Sequence, residues 1–149
     1  MRIIEYKEKY RDDLIFMILE AKNAFGRIPG LNKDLLDIQK NYLDKGDMFW
    51  IAIDDNDRVI GSVGYNSIDN TTDVWLHRLF VKYNLKRSGL GTFLLKTVEE
   101  YLKTKGKSTV YIHLGQPKED WFESYSFYPK NGYFAFDIDK PNLMKKELR

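Results

Sequence analysis

Apolar positions in this chain recur with two periods, and the switch between them predicts an order of elements. Arg2–Tyr6 reads as a short strand, and Leu14, Ile15, Ile18 and Leu19 then recur at helical spacing across Tyr10–Ala24. Phe25–Gly30 breaks that pattern with two glycines and a proline. Asn32 is placed to cap a second helix, with Leu35, Leu36, Ile38, Tyr42 and Leu43 as its buried stripe and an end near Lys45–Gly46. Met48–Ile53 and Arg58–Tyr65 read as strands joined by the polar turn Asp54–Asp57. Asn66–Thr72 is a second polar turn, and Asp73–Val81 a long strand. Leu90, Phe93, Leu94, Val98, Tyr101 and Leu102 predict a third helix that stops near Gly106. Thr109–Leu114 reads as a strand, Glu119–Tyr128 as a helix, and Tyr133–Ile138 and Leu143–Leu148 as closing strands.

The resulting order is β-α-α-β-β-β-α-β-α-β-β. It predicts the α/β class: a mixed sheet of about seven strands with four helices, in which antiparallel hairpins flank one βαβ crossover from Val74 to Leu114. With 149 residues, 43% of them hydrophobic, the chain fits one domain, residues 1–149, with a sizeable core. Cysteine is absent, which excludes disulfides, thiolate metal sites and a cysteine nucleophile. His77 and His113 are the only histidines, too few for a histidine-built zinc site. The charged start, Met1-Arg2-Ile3-Ile4-Glu5, does not read as a secretory signal, and no apolar run approaches membrane-spanning length. A cytoplasmic protein with no membrane partner is the expectation. The net charge of +2 is nearly balanced, and Lys103, Lys105, Lys107, Lys145 and Lys146 interleave with Glu99, Glu100 and Glu147. Such mixing marks a solvated face and argues against nucleic-acid binding.

The chemistry concentrates in Leu79–Leu95. A strand feeds a loop holding Lys86, Arg87, Ser88, Gly89 and Gly91, and an apolar helix then begins. The first N–H groups of a helix lack intrahelical acceptors and carry partial positive charge, so this order can build an anion site. An ordinary strand-to-helix connection has the same local pattern, and both readings stand on the loop alone. Two nucleotide motifs fit poorly. A P-loop ends Gly-Lys-Ser/Thr, whereas Gly91 precedes Thr92 and Phe93. A dinucleotide fingerprint has a third glycine, and position 94 is Leu.

Lys86-Arg87-Ser88-Gly89-Leu90-Gly91 after Leu79-Phe80-Val81 resembles the acetyl-coenzyme A loop of the GNAT N-acetyltransferase superfamily, Arg/Gln-x-x-Gly-x-Gly/Ala following Leu-x-Val. Downstream, Phe127-Tyr128-Pro129-Lys130-Asn131-Gly132-Tyr133 is similar to that family's Leu-Tyr-x-Lys-x-Gly-Phe segment. The resemblance covers the chain in element order and is sharp in these two segments. It implies acetyl-CoA as acyl donor and a primary amine of a small molecule or peptide as acceptor, with direct attack in a ternary complex.

Carried over residue by residue, the resemblance assigns the donor's pyrophosphate to Lys86, Arg87, Ser88, Gly89, Leu90, Gly91 and Thr92. It assigns the pantetheine arm to the strand end Leu79, Phe80 and Val81, beside a bulge. Tyr128 becomes the acid for the departing thiolate, since a phenol stays protonated at neutral pH. His77 stands where some members carry a glutamate base. Strand alternation would put Trp75, His77, Leu79 and Val81 on one face. Core packing for Tyr128 and a structural histidine at position 77 are the alternatives, and His113 is a weaker base candidate. Phe25, Arg27, Ile28 and Asp73 are expected at the acceptor groove, Arg27 suited to a carboxylate and Asp73 to a cationic amine. Three positions depart from the family pattern: Lys86 replaces Arg or Gln, Trp121 stands where an Asn is frequent, and Pro129 is expected to end its helix early. They keep open a non-catalytic acyl-CoA-binding module. The aromatic C-terminal strands would suit a homodimer contact.

Overall fold

All five residues of β2, Phe49–Ile53, are buried, the mark of a strand covered on both faces. In the computed structural model, which describes residues 1–27 and 30–149, its side chains alternate between two cores. Trp50 and Ala52 join a cluster with Leu94, Val98 and Leu102 of α3 (Leu90–Thr104). Phe49, Ile51 and Ile53 join another with Leu14, Met17 and Ile18 of α1 (Arg11–Ala24). Helices therefore lie on both faces of one sheet.

That sheet has seven strands in the order β1-β2-β3-β4-β5-β7-β6. β1 (Arg2–Glu5), β2, β3 (Val59–Ser67) and β4 (Asp73–Val81) pair antiparallel in sequence. β5 (Thr109–His113) joins β4 in parallel through the α3 crossover. β7 (Leu143–Glu147) pairs with β5 and with the two-residue β6 (Phe134–Ala135), and α4 (Phe122–Lys130) precedes β6. The predicted mixed sheet and its βαβ crossover are both present.

Several boundaries differ, each for a local reason. The second helix is not continuous: a 3₁₀ turn at Lys33–Asp37 leads into α2 (Ile38–Asn41), and a further turn follows at Leu43–Lys45. Asp37 rather than Asn32 caps α2, its Oδ1 accepting from the Lys40 N–H at 3.0 Å. A short acidic side chain that takes a backbone N–H competes with helix continuation. Asn32 instead accepts from Lys22 Nζ at 2.8 Å, and Leu36 is exposed. β6 stops at Ala135 because Asp137 turns the chain, its carboxylate accepting from Asp139 N and its carbonyl from Lys140 N. α4 continues through Pro129 to Lys130. Pro129 falls in the last turn, where the Asn131 side chain donates to Phe127 O at 2.8 Å and Tyr133 N donates to Tyr128 O at 3.1 Å.

Candidate active site

The parallel pair β4–β5 is joined only at Asp73–Trp75 opposite Thr109–Tyr111. Beyond Trp75 the two strands part, and Ile112 and His113 pair with β7 alone. The β4 edge from Leu76 to Val81 thus faces an opening with its backbone groups unpaired by β5. Unpaired strand edges are sites for an extended ligand to add as a further strand.

A bulge sits on this same stretch. Ser62 faces Phe80 while Gly64 faces His77, so Arg78 and Leu79 both stand opposite Val63. Arg78 has a left-handed backbone, φ 58°. Its carbonyl accepts from Ser62 Oγ at 2.7 Å, and its guanidinium grips Asp34 with bonds of 3.0 and 2.7 Å. Asp34 also accepts from Tyr42 Oη at 2.6 Å. These contacts hold a conformation that a non-glycine residue seldom adopts. The extra residue reverses the alternation: Val74 and Leu76, then Leu79 and Val81, pack toward α3, whereas Phe80 packs toward α1. The expectation that His77 shares a face with Leu79 and Val81 is therefore corrected. His77 lies on the α1 face, its ring edge-on to Tyr42 at 6.4 Å.

At the end of β4, Lys82 N donates to Ile60 O at 2.9 Å, which anchors the start of the loop. Arg87 and Gly89 are both left-handed, with φ 65° and 86°. Such inversions turn successive N–H groups toward one side and form an anion-binding concavity. Gly89 is the N-cap of α3, so Gly91 and Thr92 belong to the helix's first turn and have no intrahelical acceptor. Ser88 Oγ accepts weakly from Leu90 N at 3.4 Å. Lys86 and Arg87 are exposed, and the Lys86 ammonium lies 5.2 Å from the centre of the Phe25 ring.

Tyr128 is buried in the same cluster as Val81, Leu90, Ile112 and Leu114, residues from both sides of the opening. Phe127 and Tyr133 hold its ring edge-on at 5.1 and 5.6 Å. Among the described residues its hydroxyl has no hydrogen-bond partner, whereas Tyr133 Oη donates to Glu99 at 2.7 Å. Burial pushes the Tyr128 phenol above its ordinary value, so it remains a donor throughout the neutral range.

His77 Nδ1 lies 2.9 Å from Asn66 Oδ1. Burial, with the Arg78 charge adding to it, lowers the imidazole from 6.5 to about 4. The unfolded imidazole takes up a proton near pH 6.5, while the folded one resists until about 4. Its contribution to stability is therefore complete above that window and is lost as pH falls through it. Urea titrations at pH 7 and pH 4.5 should show a smaller loss of stability for His77→Gln than for the parent. Equal losses would show that His77 does not resist protonation.

Arg27 is buried, and the carboxylate it pairs with belongs to this chain. Its Nη2 donates to Glu123 Oε2 at 2.9 Å and its Nε to Asp120 O at 2.8 Å, with the guanidinium 4.0 Å from the centre of the Trp121 ring. Trp121 itself lies over Gly115, where any Cβ would collide with the indole. The segment after α1 is thereby tied to the start of α4. Arg27→Ala is expected to lower folding stability by about 2 kcal/mol, because Glu123 loses its charged partner. Thermal unfolding checks this, and removing Glu123 as well should recover part of the loss.

The structure thus gathers Leu79, Phe80, Val81, the 86–92 loop and Tyr128 around the opening, with Phe25 beside Lys86. Asp73 sits at the paired end of β4, away from the loop, and His113 is exposed and stacks on Trp75 at 4.4 Å. Ile28 lies outside the described residues. Asp34, Asn66 and Arg78 carry no motif, and a sequence pattern that assumes unbroken alternation passes over them.

The fold is shared with known proteins. An acetyltransferase of the GNAT family from Staphylococcus aureus Mu50 superposes with a TM-score of 0.87 at 27% identity over 99% of both chains. The PaiA N-acetyltransferase of Thermoplasma acidophilum, solved with coenzyme A, gives 0.74 at 20% identity over 99% of both chains and shows likeness of fold. In sequence, human N-acetyltransferase 8 is 33% identical over 87 residues, 55% of this chain and 38% of that relative's length. Residues 15–133 match the Acetyltransferase (GNAT) family, and the chain belongs to that family.

Proposed function

We propose that the chain transfers the acetyl group of acetyl-CoA to a primary amine, by direct attack within a ternary complex. The observation that carries this reading is the parting of β4 from β5 directly before a glycine-capped helix start. An extended pantetheine arm matches the unpaired edge of Leu79–Val81, and a pyrophosphate matches the amides of Gly89, Gly91 and Thr92. Lys86 and Arg87 supply flanking charge. Family membership and the coenzyme A complex of the Thermoplasma acidophilum protein support the choice of donor.

In this reading the amine nitrogen bonds to the thioester carbon as the carbon–sulfur bond breaks. His77, neutral and with a free Nε2 lone pair, relays the amine proton to water. Tyr128 gives its hydroxyl proton to the departing sulfur and is reprotonated from water. The acceptor is an amine of a small molecule or a peptide, reached from the α1 side of the sheet. A cysteine-bound acyl intermediate has no residue to form on.

The test is thiol release from acetyl-CoA across a panel of amino acids, polyamines, arylalkylamines and peptides. Acetylated product with at least one class supports the reading. Tight acetyl-CoA binding without turnover on any acceptor would overturn it in favour of a non-catalytic acyl-CoA-binding module.

A further inference from the structure

We propose that Asn66 and Asp47 are positioning residues that fix the tautomer of His77. The inference rests on the base role proposed above. Three hydrogen-bonded groups from neighbouring segments form the chain. The Asn66 amide nitrogen donates to Asn41 O at 2.9 Å and to Asp47 Oδ2 at 3.2 Å. Both partners are acceptors only, so the amide has one orientation, with Oδ1 toward His77. At 2.9 Å from that oxygen, His77 Nδ1 must carry the proton. Nε2 then holds the lone pair, and it has no partner among the described residues.

Asp47 is the buried end of the chain, 4% exposed. Its Oδ1 accepts from Ser67 Oγ at 2.7 Å and its Oδ2 from Ser67 N at 3.0 Å. The carboxylate is thus locked on the end of β3 just before β2 begins. Its charge polarises the Asn66 amide, and the polarised carbonyl in turn strengthens the bond from Nδ1–H. The arrangement does for the imidazole what an orienting carboxylate does in other proton-transfer sites: it selects which nitrogen is the base.

Among the described residues, the other groups around the ring do not compete for Nδ1. Tyr42 gives its hydroxyl to Asp34, Arg78 is engaged by the same carboxylate, and His113 stacks on Trp75. Asn66 is therefore the side chain that decides the tautomer.

The experiment is long-range 15N–1H correlation of the histidine-labelled protein, with His113→Gln used to assign the two rings. The parent should show His77 protonated at Nδ1. Asn66→Ala should move the proton to Nε2 and lower kcat about tenfold or more, with the KM for acetyl-CoA unchanged. Asp47→Asn keeps the Asn66 carbonyl in place and should retain the Nδ1–H tautomer with a smaller loss of kcat. A parent ring protonated at Nε2, or a tautomer unmoved by Asn66→Ala, overturns the proposal. A tautomer that moves with no change in rate supports the positioning chain and removes His77 from the reaction.

Discussion

Tyr128→Phe should lower kcat by about 100-fold at pH 7 and leave the KM for acetyl-CoA unchanged, the signature of a donor that acts in the transition state. The ring carries the packing, edge-on between Phe127 and Tyr133, and phenylalanine preserves it. The hydroxyl has no partner among the described residues, so its removal strands no buried group and should shift stability by less than about 0.5 kcal/mol. Separation of rate from stability is the useful property of this variant. Because burial holds the phenol above its ordinary value, the parent's rate should show no basic limb from Tyr128 below pH 10. Steady-state kinetics with thermal unfolding would check both points. Unchanged turnover would assign thiolate protonation to solvent.

The second large effect is expected at Gly89. Its φ of 86° is left-handed and there is open space beside it, so conformation rather than volume requires glycine. Valine is β-branched and strained there by about 2 kcal/mol or more. The loop can relieve that strain only by turning Gly89 out of the left-handed region, which redirects the amides on either side. Gly89→Val should therefore weaken acetyl-CoA binding about 30-fold, with core stability little changed, since a Cβ there meets nothing within 4 Å among the described residues. Isothermal titration with coenzyme A measures the affinity directly. Gly89→Ala should fall between the two, as a smaller side chain in the same backbone. Undiminished affinity in the valine variant would place the pyrophosphate elsewhere.

How far the site was legible in sequence varies with what each residue needed. Gly89, Gly91 and the basic pair beside them stand in one contiguous stretch, and their order on the chain is also their order in space. Tyr128 stands out as a candidate through its Tyr-x-Lys-x-Gly context, and Pro129 leaves it helical because the proline occupies a final turn with substitute bonds from Asn131 and Tyr133. For His77, unbroken strand alternation predicts the wrong neighbours, Leu79 and Val81. One inserted residue at Arg78 reverses the faces of everything after it on β4. Arg27 reads in sequence as suited to an acceptor's carboxylate, because its own partners, Asp120 and Glu123, lie more than ninety residues downstream.

The sequence by itself determined the order of elements, the crossover through α3 and the glycine-bearing helix start. These follow from hydrophobic periodicity and backbone preference, which act over a few residues. Tertiary structure alone decided where β4 parts from β5, which face of the bulged strand His77 occupies, and which nitrogen of its ring holds the proton. Those depend on pairing register and on hydrogen bonds between Asp47, Asn66 and His77, residues on three separate segments, and no local pattern encodes a partner that the fold has yet to bring near.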